Sequence, residues 1–128
     1  MAPVPITPRP LNSSERAVLE HILSVDFDGV SALRGQLDRV AVVAAWAAGS
    51  PSIDLVVREP VARASLPDRL VPVDAQVLAP SGEYIGELLV WVEDGAVLAG
   101  LEYAWVTDEP PLRLPAIENI HIKADPCH

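Results

Sequence analysis

Two long strand-like runs flank a single Asp94-Gly95 dipeptide, and no other feature of the chain restricts its fold as much. Tyr84–Glu93 and Ala96–Val106 are rich in Val, Leu and aromatic residues. Asp-Gly between such runs is the strongest short-range signal for a two-residue type I′ hairpin, because that turn needs positive φ at both central positions. With a two-residue loop, Glu93 faces Ala96 and the pairing runs outward to Tyr84 facing Trp105. One side of this ribbon stacks Val92 with Val97, Val90 with Ala99 and Leu88 with Leu101. It continues with Gly86 beneath Tyr103 and Tyr84 beside Trp105. That side reads as a core face. The other carries Trp91 opposite Leu98, Leu89 opposite Gly100, Glu87 opposite Glu102 and Ile85 opposite Ala104.

The second face holds the candidate chemistry. Directly opposed residues of an antiparallel pair have Cβ atoms about 4.5–5.5 Å apart, and like charges there repel. Three arrangements would accommodate Glu87 and Glu102. A basic group, from a partner or from Arg58 or Arg39 on a neighbouring strand, neutralises them. The pair binds a partner's Lys or Arg. Or one carboxyl stays protonated beside the other and does acid–base work, as paired carboxylates can. A three-residue loop around Gly95 would shift the register and dissolve the pair. The same face exposes Trp91, Leu89, Leu98 and Ile85. Helices cover one side of a sheet only, so this patch must meet the chain's own tail, a second copy or a different protein.

Upstream, four prolines among residues 1–10 mark an extended proline-rich arm over 1–11, since proline fixes φ and pushes its predecessor away from helix. Asn12 with Glu15 has the form of a capping box, and Val18, Leu19, Ile22 and Leu23 then line one helix face. His21 lies beside that stripe with no ligand-type residue four positions on. A second helix is predicted from about Val30 to Leu37, capped by Asp28. Arg39–Trp46 is apolar on both sides, as in a strand covered on both faces. Gly49-Ser50-Pro51-Ser52 is a turn, Ile53–Arg58 a strand, Glu59–Val71 a loop and Val71–Val77 another strand. The tail from Thr107 to His128 reads as irregular, with Ile117, Ile120 and Ile122 laid back on the body. The expected fold is α+β: residues 12–128 form one domain, with two N-terminal helices on an antiparallel sheet of about five strands that ends in the long hairpin.

Charge narrows the partners. Residues 1–64 hold six Arg against seven acids, whereas residues 65–128 hold Arg69, Arg113 and Lys123 against eleven. So acidic a half repels phosphate backbones, disfavours nucleic acid and attracts basic partners. The longest apolar run, Val40–Ala48, has nine residues, far below the roughly 20 that span a bilayer. The first residues lack the apolar stretch of a secretory signal, so a cytoplasmic setting is expected, without membrane association. Cys127 is the single cysteine. His121, Cys127 and His128 lack metal-ligand spacing, and no nucleophile elbow or phosphate-binding loop exists. No metal or cofactor is therefore expected.

Gly100-Leu101-Glu102-Tyr103-Ala104-Trp105-Val106-Thr107-Asp108-Glu109-Pro110-Pro111 resembles a segment of a group of small uncharacterised actinobacterial proteins. The resemblance extends to an N-terminal helical region (Arg16 to Leu37), a Pro-Ser-Ile-Asp element (Pro51 to Asp54), a hairpin running into Asp-Glu-Pro-Pro (Tyr84 to Pro111), and Leu114-Pro115. Such relatives carry cysteines just before the Pro-Ser-Ile-Asp element. Here Trp46, Ala48 and Ser50 stand there, so the resemblance implies no thiol or metal role in that loop. The ending is also similar to that of polymorphic-toxin immunity proteins, an analogy of shape rather than of site.

The expectation that follows is a non-enzymatic interaction protein, an immunity or inhibitor protein that occludes a basic effector. Glu87, Glu102, Asp108 and Glu109 would engage cationic groups, with Trp91, Trp105 and Tyr103 as aromatic anchors. Two alternatives stay open. One is a homodimeric structural protein joined through the Trp91, Leu89 and Leu98 face. The other is a small ligand-binding domain or enzyme using the paired carboxylates.

Overall fold

A computed structural model describes residues 3–124. The chain enters as a strand, β1 (Val4–Arg9), which pairs antiparallel with β2 (Val40–Ala45) through Val4↔Ala45, Pro5↔Ala44 and Arg9↔Val42. The region read as an arm is thus the outermost strand of the sheet. Extended backbone suits proline, but Pro5 and Pro8 supply no N–H to a ladder, and the register shifts between Pro5 and Arg9.

Helix α1 (Ser13–Ile22) starts at the expected capping box. The Glu15 N–H donates to Asn12 Oδ1 at 2.8 Å, and the Asn12 N–H donates to Glu15 Oε1 at 2.9 Å. Arg9 closes the cap from β1, with its two guanidinium nitrogens 2.8 and 2.9 Å from the Glu15 carboxylate. Val18, Leu19, Ile22 and Leu23 are all buried. Helix α2 (Val30–Gln36) is entered through Gly29 at φ 95°, with no side-chain cap. Asp28 therefore does not cap it. Gly29 takes the left-handed backbone that a non-glycine residue would resist.

Among the described residues seven strands form one antiparallel sheet, where about five were expected. After β2 come β3 (Ile53–Val57), β4 (Val73–Leu78), β5 (Tyr84–Glu93), β6 (Val97–Trp105) and β7 (Ile120–Ala124). Their order in space is β1-β2-β3-β6-β5-β4-β7. The tail was read as irregular. Its last segment, β7, extends the sheet beside β4, with Ile120 opposite Val77 and Ile122 opposite Ala75. Strand β2 alternates buried and half-buried residues, so it is covered on one face and not both.

Both helices pack on the same side of the sheet. Leu19, Ile22, Leu23 and Leu33 join Leu55, Val77, Leu88, Val90, Leu98 and Leu101 in one core. Each such side chain contributes about 1.5–3 kcal/mol on burial. Gln36 is also in this core, wholly buried. Its Nε2 donates to the Ala62 and Ala96 carbonyls at 2.9 and 3.0 Å, and its Oε1 accepts from the Leu98 N–H at 2.9 Å. Among the described residues no helix is long and apolar enough to cross a membrane.

The hairpin forms where expected, in a different register. The Ala96 N–H donates to the Glu93 carbonyl at 2.9 Å across Asp94 and Gly95, both at positive φ (56° and 66°), as a type I′ turn requires. Ala96 nevertheless stays out of the ladder, and Glu93 pairs with Val97. The Ala96 carbonyl is already taken by the Ala64 N–H at 3.0 Å and by Gln36. A second extra residue, Ala99, falls between the pairs Val92↔Leu98 and Trp91↔Gly100. The two slips together displace the register by two residues, which returns the body of β6 to its original face. At the tip, between the slips, the faces exchange. Leu98, expected outside, is 1% exposed in the core, while Val97 is only half-buried.

Candidate functional site

The side of the sheet opposite the helices carries the polar and aromatic groups. Facing residues cross it: His121, Gln76, Glu87 and Ala104 in one row; Lys123 with Asp74, and Leu89 with Glu102; then Trp91, Gly100 and Asp54. Glu87 faces Ala104 and Glu102 faces Leu89, so the directly opposed carboxylate pair does not form. The double slip in β6 removes it, as a longer loop at Gly95 implied. Trp91 stands opposite Gly100 rather than Leu98, and Leu98 has left this face. Of the expected aromatic anchors, Trp91 is on the open side. Tyr103 is 4% exposed in the core, where burial pushes its hydroxyl pKa up. Trp105 is exposed, two residues past the end of the core stripe Leu101–Tyr103. Asp108 and Glu109 lie exposed in the connection after β6.

Glu102 has a partner that the sequence did not disclose. The Trp91 Nε1–H donates to Glu102 Oε1 at 3.0 Å. Beside it, the Trp46 Nε1–H donates to Asp54 Oδ1 at 3.0 Å. The second pair is built by the β2–β3 connection. The Trp46 N–H donates to the Ser52 carbonyl at 2.9 Å, and Ser52 Oγ accepts from the Tyr103 N–H at 2.9 Å, which locks the turn onto β6. Gly100 lies between the two pairs, in register with Asp54 on one side and Trp91 on the other. A Cβ at Gly100 would sit 3.7 Å from Trp91 Cβ and 3.9 Å from Trp91 Cδ1. The missing side chain leaves that space to the indole.

These residues line a trough. A hollow of about 620 Å³ is bounded by Trp46, Asp54, Arg69, Trp91 and Gly100. It shares Trp46 and Asp54 with a hollow of about 490 Å³ that reaches Glu102 and Trp105. On its other side it shares Arg69 and Trp91 with one of about 710 Å³ that runs along Leu89 and Asp74. The Arg69 carbonyl accepts from the Val92 N–H at 2.7 Å, which fixes this residue's backbone at the rim. Trp46, Asp54 and Arg69 had not stood out as site residues. Trp46 lies inside an apolar run and Asp54 merely alternates with Ile53 and Leu55, so only the pairing of β3 with β6 gives them a common surface.

The trough is acidic. Among the described residues no salt bridge involves Asp54, Glu87 or Glu102; the five ion pairs lie elsewhere. Elsewhere on β5, burial and then the negative charges of Glu87 and Asp74 push the Tyr84 hydroxyl above its usual pKa. Among the described residues no group of three or more His, Cys, Asp and Glu side chains is placed to hold a metal ion. His121 is exposed on β7, and Cys127 and His128 lie outside the described residues. Comparison with family models, with curated proteins and with solved structures returns no significant match.

Proposed function

We propose that this chain is a small acidic binding protein that occludes a basic protein partner with the open face of its sheet, as an immunity or inhibitor protein neutralises an effector in the cytoplasm. The observation that carries this reading is the trough itself. Carboxylates at Asp54, Asp74, Glu87 and Glu102 lie along one sheet face, and no ion pair among the described residues engages Asp54, Glu87 or Glu102. Two indoles supply apolar area beside them. Aromatic anchors bordered by an excess of negative charge suit an interface that gains its on-rate from electrostatics and its lifetime from burial. Asp108 and Glu109, exposed beyond β6, add to the same negative field. The resemblance of the hairpin ending to toxin-immunity proteins agrees with this reading, and so does the net charge of −9.

The test is co-purification from a lysate of the source organism, followed by a salt titration on any basic protein retained in stoichiometric amount. A 1:1 complex that weakens steeply with salt is expected. Glu87→Lys with Glu102→Lys should abolish it while circular dichroism stays unchanged. Unaltered affinity in that variant removes the face from the interface. If no complex forms and the wild-type chain sediments as a dimer that Trp91→Glu dissociates, the homodimer reading replaces this one.

A further inference from the structure

Within that acidic face one place is built for a particular side chain. We infer that the cleft between Trp46 and Trp91 receives an arginine of the partner, its guanidinium lying on indole and its N–H groups donating to Asp54 and Glu102. The inference deepens the proposed binding role and rests on it.

Four observations support an arginine. Each carboxylate is held by one indole N–H through one oxygen, Asp54 Oδ1 and Glu102 Oε1. The second oxygen of each has no hydrogen bond among the described residues, so each carboxylate is oriented and still has acceptor capacity. Two indoles flank a floor with no side chain at Gly100, and the resulting hollow of about 620 Å³ is wide enough for a planar group with its aliphatic stem. The charged residues lining that hollow are Asp54, Glu93, Asp94 and Arg69, an excess of negative charge before Glu102 next to it is counted. Guanidinium is the cation that combines a flat, weakly hydrated surface for stacking on indole with a rigid fork of donors for carboxylates. A lysine ammonium would meet the charge without the plane.

Arg69 makes the inference easy to break. It stands at the rim with its backbone fixed, and among the described residues it makes no ion pair. For a cationic guest its charge is unfavourable, whereas for an anion or a sugar it would be a donor. The probes are acetyl-Gly-Arg-Gly-amide and its lysine and citrulline counterparts, titrated while the three tryptophan indole N–H resonances are followed by NMR.

The arginine peptide should shift Trp46 and Trp91 and leave Trp105 in place. The lysine peptide should bind about fivefold more weakly and citrulline not measurably. Asp54→Asn with Glu102→Gln should weaken arginine binding about tenfold, and Arg69→Gln should strengthen it about threefold. Weaker binding in Arg69→Gln, equal binding of citrulline, or no shift at Trp46 and Trp91 would each overturn the assignment. If the basic partner binds Trp46→Ala with Trp91→Ala as tightly as wild type, the cleft is wrong and the acidic face stands. If neither peptide nor partner binds the wild type, both fall.

Discussion

Replacing Gln36 by Met keeps the volume of the side chain and removes every hydrogen bond it makes. Three main-chain groups lose a partner: the Ala62 and Ala96 carbonyls and the Leu98 N–H. They are not equally affected. Ala62 is exposed, so water can replace the amide there, and the Ala96 carbonyl keeps the Ala64 N–H at 3.0 Å. The Leu98 N–H has neither remedy, because Leu98 is 1% exposed. Leaving one buried donor unsatisfied costs about 1–3 kcal/mol, and losing the net value of the other bonds adds about 1 kcal/mol. Gln36→Met should therefore lower the unfolding free energy by about 2–4 kcal/mol, a large share of the ~5–15 kcal/mol typical of a domain.

The effect should also be local. Without Gln36 only the Ala64 N–H still holds Ala96 out of the ladder, and the Asp94-Gly95 turn favours the two-residue register that would turn Leu98 outward. Urea denaturation measures the first effect and hydrogen exchange at the Leu98 amide the second. A companion variant supplies a pH signature. In Gln36→Glu the protonated carboxyl keeps the acceptor and one of the two donors of the amide, while the ionised form faces two carbonyls in the core. Its folded-state pKa is raised, so stability is complete below the ordinary glutamate range near 4.3 and is lost as pH rises through the folded value. A Gln36→Met protein within 0.5 kcal/mol of wild type, with Leu98 still protected, would refute the claim that this amide sets the register.

Three further outcomes are expected. Burial raises the Glu15 pKa, but the Arg9 hydrogen bonds, the Asn12 N–H and the Arg9 charge outweigh it and hold the carboxyl below its usual range. Stability from this group is present above the ordinary carboxylate pKa and is lost as pH falls through the lower folded value. Glu15→Gln should flatten the acid limb of a pH–stability curve and cost ~1–2 kcal/mol at neutral pH, the half-exposed Arg9 limiting the figure. Burial raises the Tyr103 pKa, so its contribution is complete below the ordinary tyrosine value and is lost as pH climbs through the folded one. Tyr103→Phe should reduce alkaline unfolding, read by circular dichroism above about pH 10. Gly95 has φ 66°, and a Cβ there would overlap the Leu66 carbonyl oxygen. Gly95→Ala should cost more than ~2 kcal/mol by thermal denaturation, well above the ~1 kcal/mol of an unhindered left-handed alanine.

What was legible in the sequence was what neighbours in the chain decide. Asn12 with Glu15, the stripe Val18–Leu23 and the Asp94-Gly95 turn all formed as local chemistry prescribes. The hairpin register was not legible, because Gln36, which holds Ala96 and Leu98, is 60 to 62 residues away in the chain. Strand β1 was hidden by Pro5 and Pro8, which lower strand propensity yet are tolerated where one side of a strand has no neighbour. Strand β7 was hidden by prolines that rightly exclude helix. Trp91 and Glu102 of the candidate site were marked in the sequence, Trp91 by the exposed sheet face and Glu102 by a carboxylate pairing that does not form. Trp46, Asp54 and Arg69 acquire meaning only when β3 meets β6, a pairing with no short-range sign.

The prolines of β1 have a consequence for how copies of the chain could associate. A long flat sheet normally invites growth at its borders, where unpaired main-chain groups template another strand. Here one border is β1, in which two of six residues offer no N–H. An incoming strand would find gaps in the ladder and little to gain from lying there. A chain with half its residues apolar is thereby guarded on that side against polymerising through its backbone. Under the proposed binding role, contacts with other molecules fall instead to side chains on the open face, where they can be selective.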